Sequence, residues 1–240
     1  MSPAEPIVIA HLYPREMNIY GDLGNVITLR RRLEWRGFEV KVEPVEIGRA
    51  FDFGRADIIF GGGGQDRGQS LVGPDLLARR ADLHLAAEAG VPMLMVCGLY
   101  QLFGHGFTTA TGQQIPGIGI FDARTVATDT RMIGNIVVES RWGRLVGFEN
   151  HSGATELAKG QPALGKVGKG FGNTPGGKQE GAVTGNAIGT YLHGPVLPKN
   201  PVLADWLISQ ALHRLGITDL EKLDDSLELR AATSAAKRPR

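Results

Sequence analysis

The sequence predicts an α/β protein with a doubly wound, mostly parallel sheet flanked by helices, and with added antiparallel strands in its second half. Through the first hundred residues, short apolar runs of strand length alternate with helical segments, which is typical of a parallel sheet covered on both faces. Two of these runs lead into turns that contain glycine. Ligands of such sheets bind at the carboxyl ends of the strands, so both turns are candidate functional sites.

The elements of the first half follow from apolar periodicity and from glycines that end helices. A helix is predicted at 26–35 with Asn25 as its cap, and a longer helix at 71–89. Strands are predicted at 7–12, 38–45, 56–60 and 92–96. The last of these runs directly into a helix at Cys97, which is the arrangement of a nucleophile elbow.

The second half has shorter strand signals joined by glycine-rich turns. Strands are predicted at 131–139, 145–149, 181–183 and 187–195, and helices at 200–215 and from about 218 to 230. The segment 165–181 is predicted to be a loose loop. We interpret residues 1–230 as a single domain and residues 231–240 as a disordered basic tail.

Composition excludes several classes of function. The net charge of the 240 residues is +1, with 42% hydrophobic and 21% charged residues, so nothing favours binding of nucleic acid or of a membrane surface. No apolar run reaches the length needed to span a bilayer. The single cysteine allows no internal disulfide and fits a reducing, cytoplasmic compartment. The histidines and this cysteine lack zinc-ligand spacing, so no metal site is predicted.

Cys97 is the candidate nucleophile. A thiol at a helix N-terminus is favoured as thiolate, and the nearby backbone amides can stabilise an oxyanion. The alternative is that Cys97 is a small buried hydrophobic residue.

A histidine is the natural partner for a reactive thiol. His151 and His193 both follow strands, and His193 is the better candidate because a strand places it and a tight turn exposes it. No carboxylate follows His193 closely, so the third member of a triad is not visible. The remaining four histidines are interpreted as structural, solvated or badly placed: His11, His84, His105 and His213.

The glycine runs do not match nucleotide-binding motifs. The run 61–64 lacks the spacing of a dinucleotide fingerprint, and 172–178 opens like a P-loop but has Gln179 where Ser or Thr must hold magnesium. The amides of Gly63 and Gly64 are better interpreted as a nest for an oxyanion or a carboxylate.

These motifs resemble class I glutamine amidotransferases of the cobyric-acid-synthase-like branch, and within it the GatD-type subunits of lipid II isoglutaminyl synthase. The resemblance runs from about residue 7 to residue 215, and one departure is Leu99, where glycine is usual and a larger side chain could narrow the pocket. It is carried by the segments 11–14, 18–25, 30–37, 62–66, 97–101, 147–153 and 189–201.

The resemblance implies a subunit that hydrolyses L-glutamine to glutamate and ammonia. The ammonia would pass to a separate Mur-ligase-like subunit of the MurT type in a heterodimer. That partner would use ATP and magnesium to amidate the α-carboxylate of D-glutamate in lipid II, a step of peptidoglycan synthesis. No cofactor is expected in this chain.

The resemblance also assigns roles to individual residues. Cys97 would be the nucleophile, His193 the general base, and Arg131 the anchor for the α-carboxylate of glutamine. The remaining substrate and oxyanion contacts would come from Gln101 and from the amides of Gly64 and Gly98. Because His193 lacks a visible orienting group, we hypothesise that a carboxylate of the partner completes the triad and so suppresses hydrolysis by the isolated subunit.

Three other interpretations remain open. The first is a glutaminase that serves a different synthetase, such as one that amidates a corrin ring. The second is a non-catalytic interaction module on the same fold, and the third is a cysteine peptidase of related fold.

Overall fold

The architecture comes from a computed structural model that describes residues 5–19 and 21–239. The first half contains β1 (Ile7–Leu12), α1 (Leu23–Glu34), β2 (Val40–Val45), β3 (Ile58–Gly61), α2 (Asp66–Ala78), α3 (Arg80–Glu88), β4 (Met93–Val96) and α4 (Gly98–Phe103). The second half contains β5 (Gly106–Thr108), β6 (Gln114–Pro116), β7 (Ala123–Ser140), β8 (Gly143–Leu157), β9 (Gly165–Lys169), β10 (Gln179–Glu180), β11 (Ala182–Thr184), β12 (Ala187–Thr190), α5 (Pro201–Arg214) and α6 (Ser226–Lys237).

The central sheet has the order β11-β12-β4-β3-β1-β2. All neighbours in it are parallel except the edge pair β11 and β12. The chain begins in β1, moves outward to β2 and then returns to the other side at β3. The strand order therefore reverses between β1 and β3, and ligands of doubly wound sheets bind at such a switch point.

The core of this sheet explains the wholly apolar runs in the sequence. Every residue of β3, β4 and β12 is buried, since helices cover both faces of the central strands. The predicted fold class is confirmed, and the alternating pattern of β2 is that of an edge strand.

A second sheet, in the order β10-β9-β7-β5-β6, is built on the long antiparallel hairpin β7–β8. Its strands are far longer than the short segments predicted at 131–139 and 145–149. A register shift between Ala127 and Met132 interrupts the hairpin. The predicted loop at 165–181 also contains strands, since β9 and β10 pair within it.

Several predicted helix boundaries are wrong. Helix α1 begins at Leu23 with Asp22 as its N-cap, while Asn25, the predicted cap, lies inside the helix. The single helix expected at 71–89 is divided at Arg79 into α2 and α3. The last helix spans 226–237, so it covers most of the segment predicted as a disordered tail.

The end of the chain is attached to the rest of the structure by polar contacts. Asn135 Nδ2 donates to the Pro239 carbonyl at 2.7 Å, and Lys169 Nζ donates to the Arg238 carbonyl. Just before α6, the Asp225 carboxylate accepts a hydrogen bond from Arg32 Nη1 at 2.6 Å. Arg32, on α1, also pairs with Asp205 of α5, so one buried guanidinium joins three segments.

Candidate active site

Cys97 lies at the turn between β4 and α4. Its φ of +50° and ψ of −103° are unusual for a non-glycine residue, and its amide donates to the Thr190 carbonyl at the end of β12 at 2.8 Å. Such backbone strain costs about 1–3 kcal/mol and is concentrated at functional sites. The predicted elbow is therefore present, with Cys97 5% exposed at its tip.

Two backbone amides lie beside the elbow. A Cβ added to Gly98 would come within 2.9 Å of the Gly64 nitrogen, so only glycine lets the start of α4 approach the loop after β3 this closely. Within the described residues, neither the Gly64 nor the Gly98 amide donates a hydrogen bond in the structure. The two N–H groups predicted to hold an oxyanion are thus adjacent and available.

His193 reaches Cys97 from the end of β12. Its main chain pairs with Phe148 of β8 through two hydrogen bonds of 2.8 and 3.1 Å, and its side chain is 2% exposed. The central sheet and the hairpin therefore both position this ring. The candidate nucleophile and its predicted base lie together, although 96 residues separate them in the sequence.

The electrostatics of this pair favour a protonated imidazole. Burial alone would lower the pKa of His193, but the charge of Cys97, together with hydrogen bonds to Asp22 and Cys97, raises that pKa to about 10. The imidazolium form of His193 and the negative charge of Cys97 therefore favour each other. A neighbouring imidazolium stabilises a thiolate and can later donate its proton to a leaving group.

Asp22 supplies a carboxylate that sequence reasoning missed. It is completely buried, and its Oδ1 lies 3.5 Å from His193 Nδ1. The inference that the chain lacks a group to orient His193 is therefore wrong, and with it the premise that a partner carboxylate must complete the triad. The signal was available, because Asp22 follows the first strand and so lies at the carboxyl edge of the sheet.

Arg131 lies on β7, within the register shift between Ala127 and Met132. Its Nε donates to Asn150 Oδ1 at 2.9 Å, and its guanidinium is exposed. Its charge reaches the site, since it helps to lower the pKa of buried His151. The ring of His151 stacks on Tyr191, two residues before His193, with 3.6 Å between ring centroids. Arg131 thus lies on the site's hairpin side.

Gln101 lies one turn into α4, and both ends of its amide are already bonded. Its Oε1 accepts from Gln69 Nε2 at 2.7 Å, and its Nε2 donates to Tyr191 Oη at 3.1 Å. The series of hydrogen bonds continues from Tyr191 Oη to Thr155 Oγ1, which are 2.6 Å apart. This buried network fixes α4 relative to β8 and β12, and a direct contact of Gln101 with substrate stays a prediction.

Leu99 occupies a position where glycine is usual, and the absence of a side chain at Gly61 makes room for it. A Cβ on Gly61 would lie 2.3 Å from Leu99 Cδ1. The Leu99 side chain, which is fully buried, therefore fills the space above Gly61 at the end of β3.

Two buried carboxylates support the segment around His193. Glu180 accepts from the Tyr191 amide at 2.6 Å and from Thr190 Oγ1 at 3.0 Å, and burial raises its pKa to about 8. Glu149, next to Phe148, accepts from the amides of Phe171 and Gly172, both at 2.9 Å. The sequence analysis assigns a role to neither residue, since Glu180 falls in the segment predicted as a loop and Glu149 is predicted only as the end of a strand.

No metal cluster of three or more His, Cys, Asp or Glu side chains is found among residues 5–19 and 21–239. Across the same residues, no helix is both long and apolar enough to cross a bilayer.

The strand order and the strained cysteine at the end of β4 define a class I glutamine amidotransferase fold, and solved structures of that class share it. The chain superimposes on PurLQS from Thermotoga maritima with a TM-score of 0.58, at 15% identity, covering 88% of this chain and 99% of the other. The glutaminase domain of Trypanosoma brucei CTPS, with bound acivicin, gives a TM-score of 0.55 at 12% identity, with 91% and 98% covered.

The chain belongs to the family of CobB/CobQ-like glutamine amidotransferase domains, which it matches over residues 8–201. It is 40% identical over 227 residues to the GatD subunit of lipid II isoglutaminyl synthase (glutamine-hydrolyzing) from Staphylococcus aureus, covering 94% of this chain and 93% of that one. The Streptococcus pneumoniae GatD subunit is 39% identical, with 86% and 80% covered. A probable cobyric acid synthase of Methanothermobacter thermautotrophicus is 33% identical over 57% of this chain and 29% of its own length.

Proposed function

We propose that this chain is the glutaminase subunit of a lipid II isoglutaminyl synthase, with Cys97 as nucleophile and His193 as its acid and base. The observation that carries the proposal is the buried Cys97–His193 pair beside the amides of Gly64 and Gly98. The similarity to two GatD subunits over most of their length supports the choice of synthase.

The chemistry begins with attack of the Cys97 thiolate on the side-chain amide carbon of glutamine. The tetrahedral oxyanion accepts hydrogen bonds from Gly64 and Gly98, each worth about 3–4 kcal/mol of barrier lowering. His193, as imidazolium, donates its proton to the departing nitrogen, and ammonia leaves. The neutral imidazole then takes a proton from water, whose oxygen attacks the thioester to release glutamate and regenerate the thiolate.

Arg131 would hold the α-carboxylate of glutamine. A guanidinium can bind a carboxylate through two parallel hydrogen bonds, and the Asn150 contact uses only Nε, leaving its terminal nitrogens available. Its exposed place on the hairpin would let it bind the end of glutamine that points away from Cys97.

The ammonia would pass to a Mur-ligase-like partner of the MurT type. On that partner we place ATP, magnesium and the lipid II acceptor, and we assign no cofactor to this chain. Both GatD relatives are subunits of a synthase, which supports a heterodimer.

In the experiment, the full-length chain is purified together with its MurT-type partner. The complex is then given glutamine that carries ¹⁵N at the side-chain amide. We expect ¹⁵N in the D-isoglutamine of lipid II, measured by mass spectrometry. The matched control is Cys97→Ala, which should lose amidation from glutamine but retain amidation from added ammonium, since the partner is unchanged.

Two outcomes would contradict different parts of the proposal. Wild-type rates of glutamine hydrolysis by Cys97→Ala would rule out the mechanism. Hydrolysis of glutamine by a complex that amidates no lipid II, but does amidate a corrin, would leave the glutaminase in place and correct the acceptor.

A further inference from the structure

We propose that Asp22 is the positioning residue of the site, which orients His193 through one carboxylate oxygen and restrains the oxyanion loop through the other. The inference rests on the proposed glutaminase function. It assigns within this chain a role that sequence reasoning gave to a partner.

The first observation is that Asp22 does not do what an aspartate at its position ordinarily does. An N-cap aspartate usually accepts a hydrogen bond from the amides of the first helical turn. At the start of α1 no such side-chain bond forms, although Asp22 is the N-cap. Its carboxylate is turned into the protein, where it is completely buried.

The second observation is where the two oxygens point. Oδ1 lies 3.5 Å from His193 Nδ1, while Oδ2 accepts the Gly63 amide at 2.7 Å. Gly63 immediately precedes Gly64, whose amide is a proposed oxyanion donor. One carboxylate therefore contacts the group that moves the proton and the loop that holds the negative charge.

The third observation is that the two chain segments are fixed to each other independently of this contact. Asn25 Oδ1 accepts the Leu197 amide at 2.9 Å. A Cβ on Gly24 would lie 2.4 Å from Pro195 Cγ, so the first turn of α1 packs directly on the segment that follows His193. The distance from Asp22 to His193 is consequently set by the fold.

The charges around His193 come from several elements. Cys97 and Asp22 both favour its imidazolium form. Burial raises the pKa of Glu180 to about 8, and the charge of His193 opposes this rise. The charge of His193 adds to the burial that lowers the pKa of His151 to about 3. Lys199 Nζ donates to the Gly194 carbonyl at 2.6 Å, so a cation lies against the residue that follows His193.

Removal of the Asp22 charge should therefore lower the pKa of His193. The imidazolium must donate a proton to the leaving nitrogen, so activity declines as pH rises through that pKa. The variant Asp22→Asn is expected to move this alkaline limb to lower pH by about one unit. Asn can also donate to Nδ1 and so hold the wrong tautomer, which lowers kcat by about 10²-fold or more. KM should stay within about threefold, because Asp22 touches no substrate.

The experiment measures kcat, KM and their pH dependence for the full-length chain, alone and with its MurT-type partner. The matched control is Asp75→Asn, which also removes a carboxylate bonded to a side chain and to an amide, here Tyr13 and Gly48 at 2.8 Å each, and which in addition pairs with Arg79 at 2.5 Å. We expect Asp75→Asn to affect stability and to leave the position of the alkaline limb unchanged.

A second readout needs no glutamine and so separates this proposal from the proposed function. The rate at which iodoacetamide alkylates Cys97 is followed against pH, and Asp22→Asn should lower the upper inflection, where the imidazolium loses its proton. If wild type hydrolyses no glutamine, the proposed function fails and alkylation alone decides the role of Asp22. Unchanged inflections in both profiles, or a shift equal to that of Asp75→Asn, would overturn the proposal.

Discussion

Helix α1 has a buried charged residue at its start and another near its end, and the two are partnered differently. Arg32, 2% exposed, makes two hydrogen bonds with Asp205 and two with Asp225, at 2.6–3.2 Å. Asp22 faces His193 at 3.5 Å and bonds one amide. The fully hydrogen-bonded cluster around Arg32 holds helices together, whereas the longer contact between Asp22 and His193 leaves room for a proton to move. The same helix thus serves stability at one end and chemistry at the other.

The largest expected effect separates activity from folding at Cys97, the residue that Asp22 reaches through His193. Cys97→Ala should reduce glutamine hydrolysis by about 10⁴-fold or more, because the nucleophile is lost. Cys97→Gly should be equally inactive but about 1 kcal/mol more stable than Cys97→Ala, since glycine adopts a positive φ more easily. Glutamate release and urea denaturation measure the two quantities. Equal stability of these variants would mean that the elbow is not strained.

The next effect concerns Arg32, near the end of α1. Arg32→Ala should lower the free energy of unfolding by about 3 kcal/mol, because it leaves Asp225 without its cation and leaves Asp205 with Arg36 alone. Turnover per folded molecule should remain that of wild type. The matched control is Arg31→Ala, which breaks only an exposed pair with Glu34 and should cost less than about 0.5 kcal/mol. A fall in kcat in Arg32→Ala at temperatures where it is folded would show that the two ends are coupled.

A smaller effect concerns substrate binding on the hairpin. Arg131→Ala should raise KM for glutamine by roughly 10–100-fold, through loss of a charge-assisted contact. Arg124 is a matched control, since it is exposed on the same strand, and Arg124→Ala should leave KM unchanged. Initial-rate kinetics would decide, and equal KM values for both variants would remove Arg131 from the binding site.

Taken over a single pH unit, the smallest effect is a pH dependence of stability. Burial lowers the pKa of His151 to about 3 from an ordinary value of 6.5. Below pH 6.5 the unfolded chain binds a proton that the folded chain does not, so stability falls as pH decreases towards 3, by about 1.4 kcal/mol per unit. His151→Phe should reduce this slope in urea titrations. His213→Gln, a change at an exposed position, should keep the wild-type slope.

Much of the site could be predicted because its main residues stand next to strands. Cys97 follows a wholly buried run, and His193 follows another, so local pattern alone places both at the carboxyl edge. Asp22 was missed because its partner is 171 residues away and because a turn-rich loop precedes it. An aspartate before a helix is typical of a capping residue, whereas the packing of α1 against the segment after His193 turns this carboxylate towards the site.

The hairpin and the last helix were harder to predict for a different reason. Glycines at 134, 147 and 153 interrupt the alternation of β7 and β8, yet each lies within a strand. At 147, a Cβ would lie 2.8 Å from Leu192, so glycine there reflects tertiary packing and not a turn. Helix α6 buries no residue completely, which leaves little apolar periodicity to define its bounds.

The contact between Gly61 and Leu99 has a consequence for how this site can change. The two positions share one volume, so a larger side chain at either requires a smaller one at the other. Gly61→Ala alone should therefore be poorly tolerated, while a simultaneous Leu99→Gly should remove its shortest contact and leave only Met95 Sδ, 2.9 Å away, to adjust. In a library of variants, we therefore expect changes of side-chain size at 61 and 99 to be tolerated together more often than singly.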